Sequence, residues 1–226
     1  MHSTMFRRVA LAMAIAFAIS GCGGAGEKAA AVKPETAASP WPEVSWPLAA
    51  DPALEKRIDE LLATMTVEEK VGQLVQGDIA SITPEDVRKY RLGSVLAGGN
   101  SDPGGKYDAT PAQWLAQADA FYEASMDVSQ GGKAIPILYG IDAVHGQSNI
   151  VGATLFPHNI GLGAMRNPDL MRKIGEVTAI ETRTTGMEWA FGPTVAVPQD
   201  DRWGRAYEGY SESPEVVASY AGAMVE

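Results

Sequence analysis

Apolar residues recur along the chain at the spacing of amphipathic helices, in segments that open with helix-capping residues. Thr66 is followed by Glu69 in the form of a capping box, and Asp51 precedes another periodic segment. The other helix starts combine a capping residue with proline. They lie at Thr83, Thr110, Asn167 and Ser213. The expected inward positions are Leu54, Ile58, Leu61, Leu62 and Met65 in the first helix, Leu115, Ala118 and Tyr122 in the fourth, and Met171, Ile174, Val177 and Ile180 in the fifth.

Three short apolar runs lie between these helices and predict buried strands. They cover residues 92–97, 135–139 and 187–191. Strands that alternate with helices indicate parallel βαβ units, which build either an open doubly wound sheet or a (β/α)8 barrel. A dinucleotide site is unsupported because no GxGxxG motif follows any of the runs. A barrel needs eight strands, and the last helix has no stop signal, so we expect an incomplete α/β chain.

The N-terminal segment has the form of a secretory signal. Arg7 and Arg8 precede an apolar run over residues 9–19, which is shorter than the roughly 20 residues that span a bilayer. Cys22, the single cysteine, follows at once and resembles the lipidated cysteine of a bacterial lipobox. The alternative is an ordinary cleaved signal with an incidental cysteine. We expect a signal peptide over residues 1–21, a lipidated Cys22 with an Ala/Pro-rich tether over 22–50, and a folded domain over 51–226.

The charge balance is acidic, with 18 basic and 28 acidic residues and a formal net charge of −10. A surface of this kind repels polyanions, and the sequence has no basic patch that would bind nucleic acid. The sequence therefore predicts no nucleic-acid partner. The membrane is an expected partner only through the lipid on Cys22.

Polar side chains gather after the second and third predicted strands, where a barrel would place its site. Asp142 follows the second strand, and Arg205 and Glu208 follow the third after a loop that includes Trp203. Charged groups can grip neighbouring sugar hydroxyls, and aromatic faces can stack on a sugar ring. Simpler alternatives are a helix cap or loop aspartate at Asp142, a surface ion pair between Arg205 and Glu208, and core packing of Trp203.

Two histidines lie close to these segments in the sequence, but they do not predict a metal site. His145 and His158 are far apart in the sequence and too few for a ligand set, so each is interpreted as a structural histidine. We expect neither a metal site nor a cofactor.

Long motifs in the chain resemble the N-terminal barrel domain of glycoside hydrolase family 3. They are IPILYGIDAVHGQSNIVGATLFPHNIGLGA at residues 135–164 and AVPQDDRWGRAYEGYSESPE at residues 196–215, with TMTVEEKVGQLVQ at residues 64–76 also similar. The similarity covers residues 51–226 and lies nearest the β-glucosidases and β-glucan exohydrolases. GIDAVHG differs from the DQEGG-type segment of the family's N-acetylglucosaminidases. The resemblance implies that this α/β chain is the N-terminal portion of a (β/α)8 TIM-like barrel.

The resemblance also implies roles for the polar residues. Asp142 and Arg205 are expected to bind the terminal glucose at the non-reducing end, with Glu208 orienting Arg205. Family members are retaining enzymes with an aspartate nucleophile and a glutamate acid/base. Their motifs do not occur here, so we expect both residues downstream and assign no catalytic residue to this chain.

The implied function is that of a fragment of an exo-acting retaining β-glucosidase or β-glucan exohydrolase. Such an enzyme removes β-linked glucose from non-reducing ends and needs no cofactor, because two carboxyl groups supply the proton and covalent chemistry. The alternatives are a catalytically inactive, tethered sugar-binding module and a gene remnant. The signal and Cys22 predict an exported, membrane-anchored lipoprotein, either periplasmic or at the cell surface.

Overall fold

The computed structural model describes residues 49–226. The predicted signal peptide, Cys22 and nearly all of the predicted tether lie outside the described residues. Among residues 49–226, no helix is both long enough and apolar enough to cross a membrane.

Every predicted helix start is confirmed. The helices of the described part are Pro52–Thr64 (α1), Val67–Gln73 (α2), Pro84–Tyr90 (α3), Pro111–Met126 (α4), Asn159–Ala164 (α5), Pro168–Thr184 (α6) and Pro214–Val225 (α7). Thr66, Thr83 and Thr110 each form a complete capping box, which satisfies backbone N–H groups that have no partner within the helix. The short helix α5 was not predicted, because its sequence NIGLGA contains two glycines.

Four strands form one parallel sheet in the described part, so the predicted count of three was wrong. They are Gln76–Asp78 (β1), Ser94–Ala97 (β2), Leu138–Ile141 (β3) and Trp189–Ala190 (β4). The order in the sheet is β1-β2-β3-β4, each strand lying beside the one before it. A doubly wound sheet reverses its order part-way, whereas a barrel adds strands in one direction. The progression confirms an α/β, barrel-type fold.

Two strands depart from the apolar pattern for identifiable reasons. β1 has the sequence QGD and lies at the sheet edge, partly exposed, so it has no apolar period. β3 starts three residues later than predicted: Pro136 has no N–H to donate to a ladder. The Leu138 N–H instead donates to the carbonyl of Gly93 at 3.1 Å and begins the pairing.

Two hydrophobic clusters form the core. The first joins the sheet to α3 and α4, with Val95, Ile141, Trp114 and Phe121 fully buried. The second joins α5, α6 and α7 to Tyr210 from the loop after β4. The second cluster therefore fixes the far end of that loop, which carries Arg205.

The predicted inward faces are only partly correct. In α4, Ala118 is buried as predicted, but Leu115 and Tyr122 are exposed and Trp114 and Phe121 are buried instead, because this helix is apolar on most of its circumference. In α6, Met171 and Ile174 are buried as predicted, but Ile180 is exposed.

Part of the apolar surface near the start of the domain is open to solvent. The apolar side chains predicted to face inward on α1 remain 40–47% exposed, apart from the buried Met65 beyond the helix. A groove of about 710 Å³ runs beside α2 and α3, with Val67, Val71, Ile82 and Tyr90 among its lining residues. It includes none of the predicted site residues.

Candidate functional site

Asp142 lies at the carboxyl end of the sheet, directly after β3. Its backbone N–H donates to the carbonyl of Ala97, the last residue of β2, at 3.1 Å. Its Oδ2 atom accepts a hydrogen bond from the N–H of Gly99 at 3.1 Å, and its own carbonyl accepts one from Asn149 at 2.9 Å. Asp142 caps no described helix, and its carboxylate binds a loop amide, which agrees with the loop-aspartate alternative. Asp142 is half-buried and held in a fixed orientation.

A second carboxylate, which the sequence did not predict, lies beside Asp142. Asp78 ends β1, and its Oδ1 atom accepts hydrogen bonds from Ser101 Oγ at 2.7 Å and from the N–H of Ala80 at 2.8 Å. A Cβ built on Gly98 would lie 3.5 Å from Asp78 Oδ2 and 3.9 Å from Asp142 Oδ2. The two carboxylates therefore flank Gly98. Asp78 was missed because the polar strand β1 was not recognised.

Arg205 and Glu208 form a bidentate ion pair in the loop after β4. Glu208 ends a short 3₁₀ helix, Ala206–Glu208. Arg205 Nε donates to Oε1 at 2.7 Å and Nη2 donates to Oε2 at 2.6 Å. The Arg205 side chain is 67% exposed, whereas that of Glu208 is only 12% exposed. Glu208 therefore fixes the guanidinium from below and leaves much of it open to a ligand.

The charges around this pair favour its ionised form. The hydrogen bond from Arg205 lowers the pKa of Glu208 below its ordinary value, although burial of the carboxyl opposes this. The same hydrogen bond, and then the charge of Glu208, raises the pKa of Arg205, with a smaller contribution from Asp142. The Asp142 carboxylate thus acts electrostatically on the guanidinium across the gap between the two loops.

Helix α5 anchors the Arg205 loop from below. Asn159, fully buried, donates from Nδ2 to the carbonyl of Glu208 at 2.8 Å. Gly163 lies against the backbone of Tyr210, where a Cβ would come within 2.5 Å of the carbonyl carbon and 2.9 Å of Cα. Only glycine fits such a close backbone approach.

His145 and His158 stack on one another between the Asp142 loop and the Arg205 loop. Their ring centroids are 4.3 Å apart with an interplanar angle of 32°, and the His158 ring meets Tyr207 edge-on at 4.5 Å. Burial, and then the charge of His145, lowers the pKa of His158 below its ordinary value, while a hydrogen bond to the Tyr207 backbone and the charge of Glu208 oppose this. Sequence distance concealed the pairing, although each histidine lies within the same long motif.

The remaining polar residues of the Arg205 loop are exposed. Arg202 Nε donates to both oxygens of Asp200 at 3.0 Å, so these two side chains pair with each other. Trp203 is 41% exposed, which makes the core-packing alternative for this residue wrong. Across the described residues, no group of three or more His, Cys, Asp or Glu side chains is placed to hold a metal ion.

Comparison with known proteins identifies the domain. Residues 66–226 match the model of the glycosyl hydrolase family 3 N terminal domain, a span that includes β1 to β4, Asp142, Arg205 and Glu208. The chain belongs to glycosyl hydrolase family 3.

Relatives in family 3 share this domain. The chain is 30% identical over 184 residues to the lysosomal beta glucosidase of Dictyostelium discoideum, covering 74% of this chain and 22% of that protein. It is 31% identical over 169 residues to the periplasmic beta-glucosidase of Salmonella typhimurium, covering 75% and 20% respectively. It therefore spans about a fifth of the length of these curated relatives.

A solved family 3 structure is more similar still. The exo-1,3/1,4-beta-glucanase from a Pseudoalteromonas species is 55% identical and superposes with a TM-score of 0.74, covering 81% of this chain and 23% of the other. The fold is thus that of a family 3 N-terminal domain.

Proposed function

We propose that this chain supplies the glucose-binding part of an exo-acting, retaining β-glucosidase or β-glucan exohydrolase that removes β-linked glucose from non-reducing ends. The observation that carries the proposal is the placement of two oriented charges after neighbouring parallel strands, Asp142 directly after β3 and Arg205, held by Glu208, in the loop after β4. The similarity to beta-glucosidases and to an exo-1,3/1,4-beta-glucanase supports the substrate class.

The two charged groups suit a sugar that carries several neighbouring hydroxyls. The Asp142 carboxylate has acceptor positions beyond the one used by Gly99, and the exposed guanidinium of Arg205 has donors beyond those used by Glu208. An acceptor and a donor on facing loops can bind adjacent hydroxyls in a fixed orientation. Glu208 acts through Arg205, whose position it holds.

We assign no nucleophile and no general acid to these residues. Retaining hydrolysis needs two carboxyl groups about 5–5.5 Å apart, one of which protonates the leaving oxygen. Asp78 and Asp142 each accept a hydrogen bond from a backbone N–H, which orients the carboxylate and leaves further acceptor positions for sugar hydroxyls. We therefore expect no release of nitrophenol from an aryl β-glucoside by this chain alone.

Sugar binding by the 226-residue chain tests the proposal directly. Ligand-observed NMR with laminaribiose and cellobiose should show saturable binding, with maltose, an α-linked disaccharide, as the reference. Loss of one charge-assisted hydrogen bond costs about 1.5–3 kcal/mol, so Asp142→Asn and Arg205→Lys should each weaken binding roughly 10- to 100-fold.

The chain offers a matched control in the same loop. Asp200→Asn and Arg202→Lys change an exposed pair of the same residue types, so sugar binding should stay within about twofold of the unmodified chain. Equal losses in both pairs of variants would contradict the assignment to Asp142 and Arg205. Sugar binding that none of the four substitutions weakens would show that the sugar binds elsewhere on the chain. Nitrophenol release that Asp142→Ala abolishes would show that catalytic groups lie in this chain.

We further propose that the mature protein is exported and attached to a membrane by a lipid on Cys22. The support is the order of Arg7 and Arg8, the apolar run and the single cysteine. Expression of the chain with labelled fatty acid should tag it, and Cys22→Ala should remove the label and release the protein from the membrane fraction. Labelling that survives the substitution would refute the anchor.

A further inference from the structure

Two loops of the candidate site are joined by one aromatic contact. His145 belongs to the segment after β3 that begins with Asp142, and its ring Nδ1 lies 2.8 Å from the carbonyl of Phe156. His158 lies on the opposite side of that contact and also touches Tyr207, which stands between Arg205 and Glu208. The stacked pair therefore links the backbone next to Asp142 with the backbone that carries Arg205.

The hydrogen bonds of His158 define its protonation state. Its Nδ1 atom accepts the N–H of Asn159 at 2.9 Å and thereby caps helix α5. A nitrogen that accepts an N–H carries no proton, so the ring is neutral with its proton on Nε2. Protonation at Nδ1 would replace this acceptor with a donor that faces another donor, and the cap would be lost.

The charged and titratable groups around His158 come from each element packed against it. His145 faces it from the loop after β3, and the 3₁₀ helix presents Tyr207 and Glu208, the latter paired with Arg205. A cationic His158 would lose its acceptor role at the start of α5 and would compete with Arg205 for Glu208. Loss of the cap frees the start of α5, where Asn159 holds the carbonyl of Glu208, so the Arg205 loop would leave the arrangement seen with a neutral His158.

We propose that the His145–His158 ring contact, with His158 neutral, is a pH-sensitive positioning contact that holds the Arg205 loop in place and releases it on acidification. The role given to this contact in sugar binding rests on the proposed function, but the contact itself can be measured without sugar. His145 and His158 are positioning residues that act through Tyr207 and Glu208.

Substitutions at His158 separate its two roles. His158→Asn keeps an N-cap acceptor for the first turn of α5, because asparagine is among the best N-cap residues, but it removes the stacked ring. His158→Phe keeps an aromatic ring and removes both the acceptor and the proton. If His158 acted only as a helix cap, the asparagine variant would keep its function and the phenylalanine variant would lose it. If the ring positions the loop, the phenylalanine variant would keep its function and the asparagine variant would lose it.

Amide hydrogen exchange of residues 203–210 in the full chain measures the contact without sugar. After correction for intrinsic rates, we expect the unmodified chain to exchange about 3- to 10-fold faster at about pH 5.5 than at about pH 7.5, given the usual strength of an aromatic pair. His158→Asn should show the faster rate at both pH values, and His158→Phe should stay protected at both. Nitrogen NMR of the imidazole should show the Nε2–H tautomer at the higher pH.

The outcomes discriminate between the contact and the proposed function. Exchange in His158→Asn that matches the unmodified chain, with the same pH dependence, would overturn the positioning contact. Laminaribiose binding should weaken about 3- to 10-fold between about pH 7.5 and about pH 5.5 in the unmodified chain and show no such change in His158→Phe. If no sugar binds at either pH while exchange follows the expectation, the contact stands and the assignment of Asp142 and Arg205 to glucose fails.

Discussion

The approach of α5 to the Arg205 loop is so close that a single methyl group should disrupt it. A Cβ on Gly163 would lie within 2.5 Å of the Tyr210 carbonyl carbon and 2.9 Å of its Cα. Ordinary contacts to such atoms are about 3.5–4.0 Å, so the two backbones must separate by roughly 1 Å or more. Because the obstacle is backbone, no side-chain rotation relieves it.

The energetic cost follows from this geometry. Overpacking of a filled core costs about 1–3 kcal/mol, and a clash with backbone belongs at or above the upper end of that range. Replacing a helical glycine with alanine by itself stabilises a helix by about 0.5–1 kcal/mol, which offsets part of this cost. The net loss of about 2 kcal/mol or more corresponds to a fall in Tm of about 4–8 °C for a domain of this size.

Thermal unfolding followed by circular dichroism measures the effect, with a control in the same helix. In Gly161→Ala the new Cβ meets only Pro157 Cβ at 3.5 Å, an ordinary contact, and the site is exposed. Gly161→Ala should therefore melt at or slightly above the temperature of the unmodified chain. If Gly163→Ala melts within about 1 °C of Gly161→Ala, the close packing of α5 against Tyr210 is refuted.

Three further measurements test the described contacts. Thr110→Ala removes the hydroxyl of a capping box and should lower the free energy of unfolding by about 1 kcal/mol in urea titrations, with no loss if the cap is irrelevant. Asn159→Ala leaves the buried carbonyl of Glu208 unpaired and should cost about 1–3 kcal/mol, whereas an unchanged midpoint would show that water replaces the amide. Burial and the nearby His145 lower the pKa of His158 below its ordinary value of 6.5, so between the two pKa values the unfolded chain binds more protons than the folded chain. The free energy of unfolding should therefore be unaffected above about pH 6.5 and should fall as the pH drops from there towards the folded pKa. The fall should be smaller in His158→Asn.

Helix positions were predictable because their signals are local. Each capping residue and each proline acts within one turn, and the reciprocal bonds at Thr66, Thr83 and Thr110 need no tertiary partner. Apolar faces were harder to assign. On α4 the pattern allows several faces, and only the position of the sheet selects Trp114 and Phe121 for burial.

For the proposed sugar-binding residues, the position along the fold was predictable from the sequence but the contacts were not. Asp142, Arg205 and Glu208 stand in long motifs, and the first two follow strands, so their neighbourhood could be inferred from strand polarity alone. The contact between His145 and His158 depends on how the chain returns between β3 and α5, which no local pattern encodes. Recognising Asp78 as a site residue requires the edge strand β1. This strand has three residues and pairs through its backbone, so the side chains of β1 give no strand pattern in the sequence.

The order of the sheet has a consequence for how the protein can be made. Each described strand after β1 pairs in parallel with the strand that precedes it in the chain, so each new ladder uses a partner that the ribosome has already released. Synthesis is slow compared with helix and loop formation, which take microseconds or less. Each βα unit can therefore fold onto an already formed edge as it emerges, and the growing sheet offers unpaired backbone groups to other nascent chains only at β1 and at its newest strand.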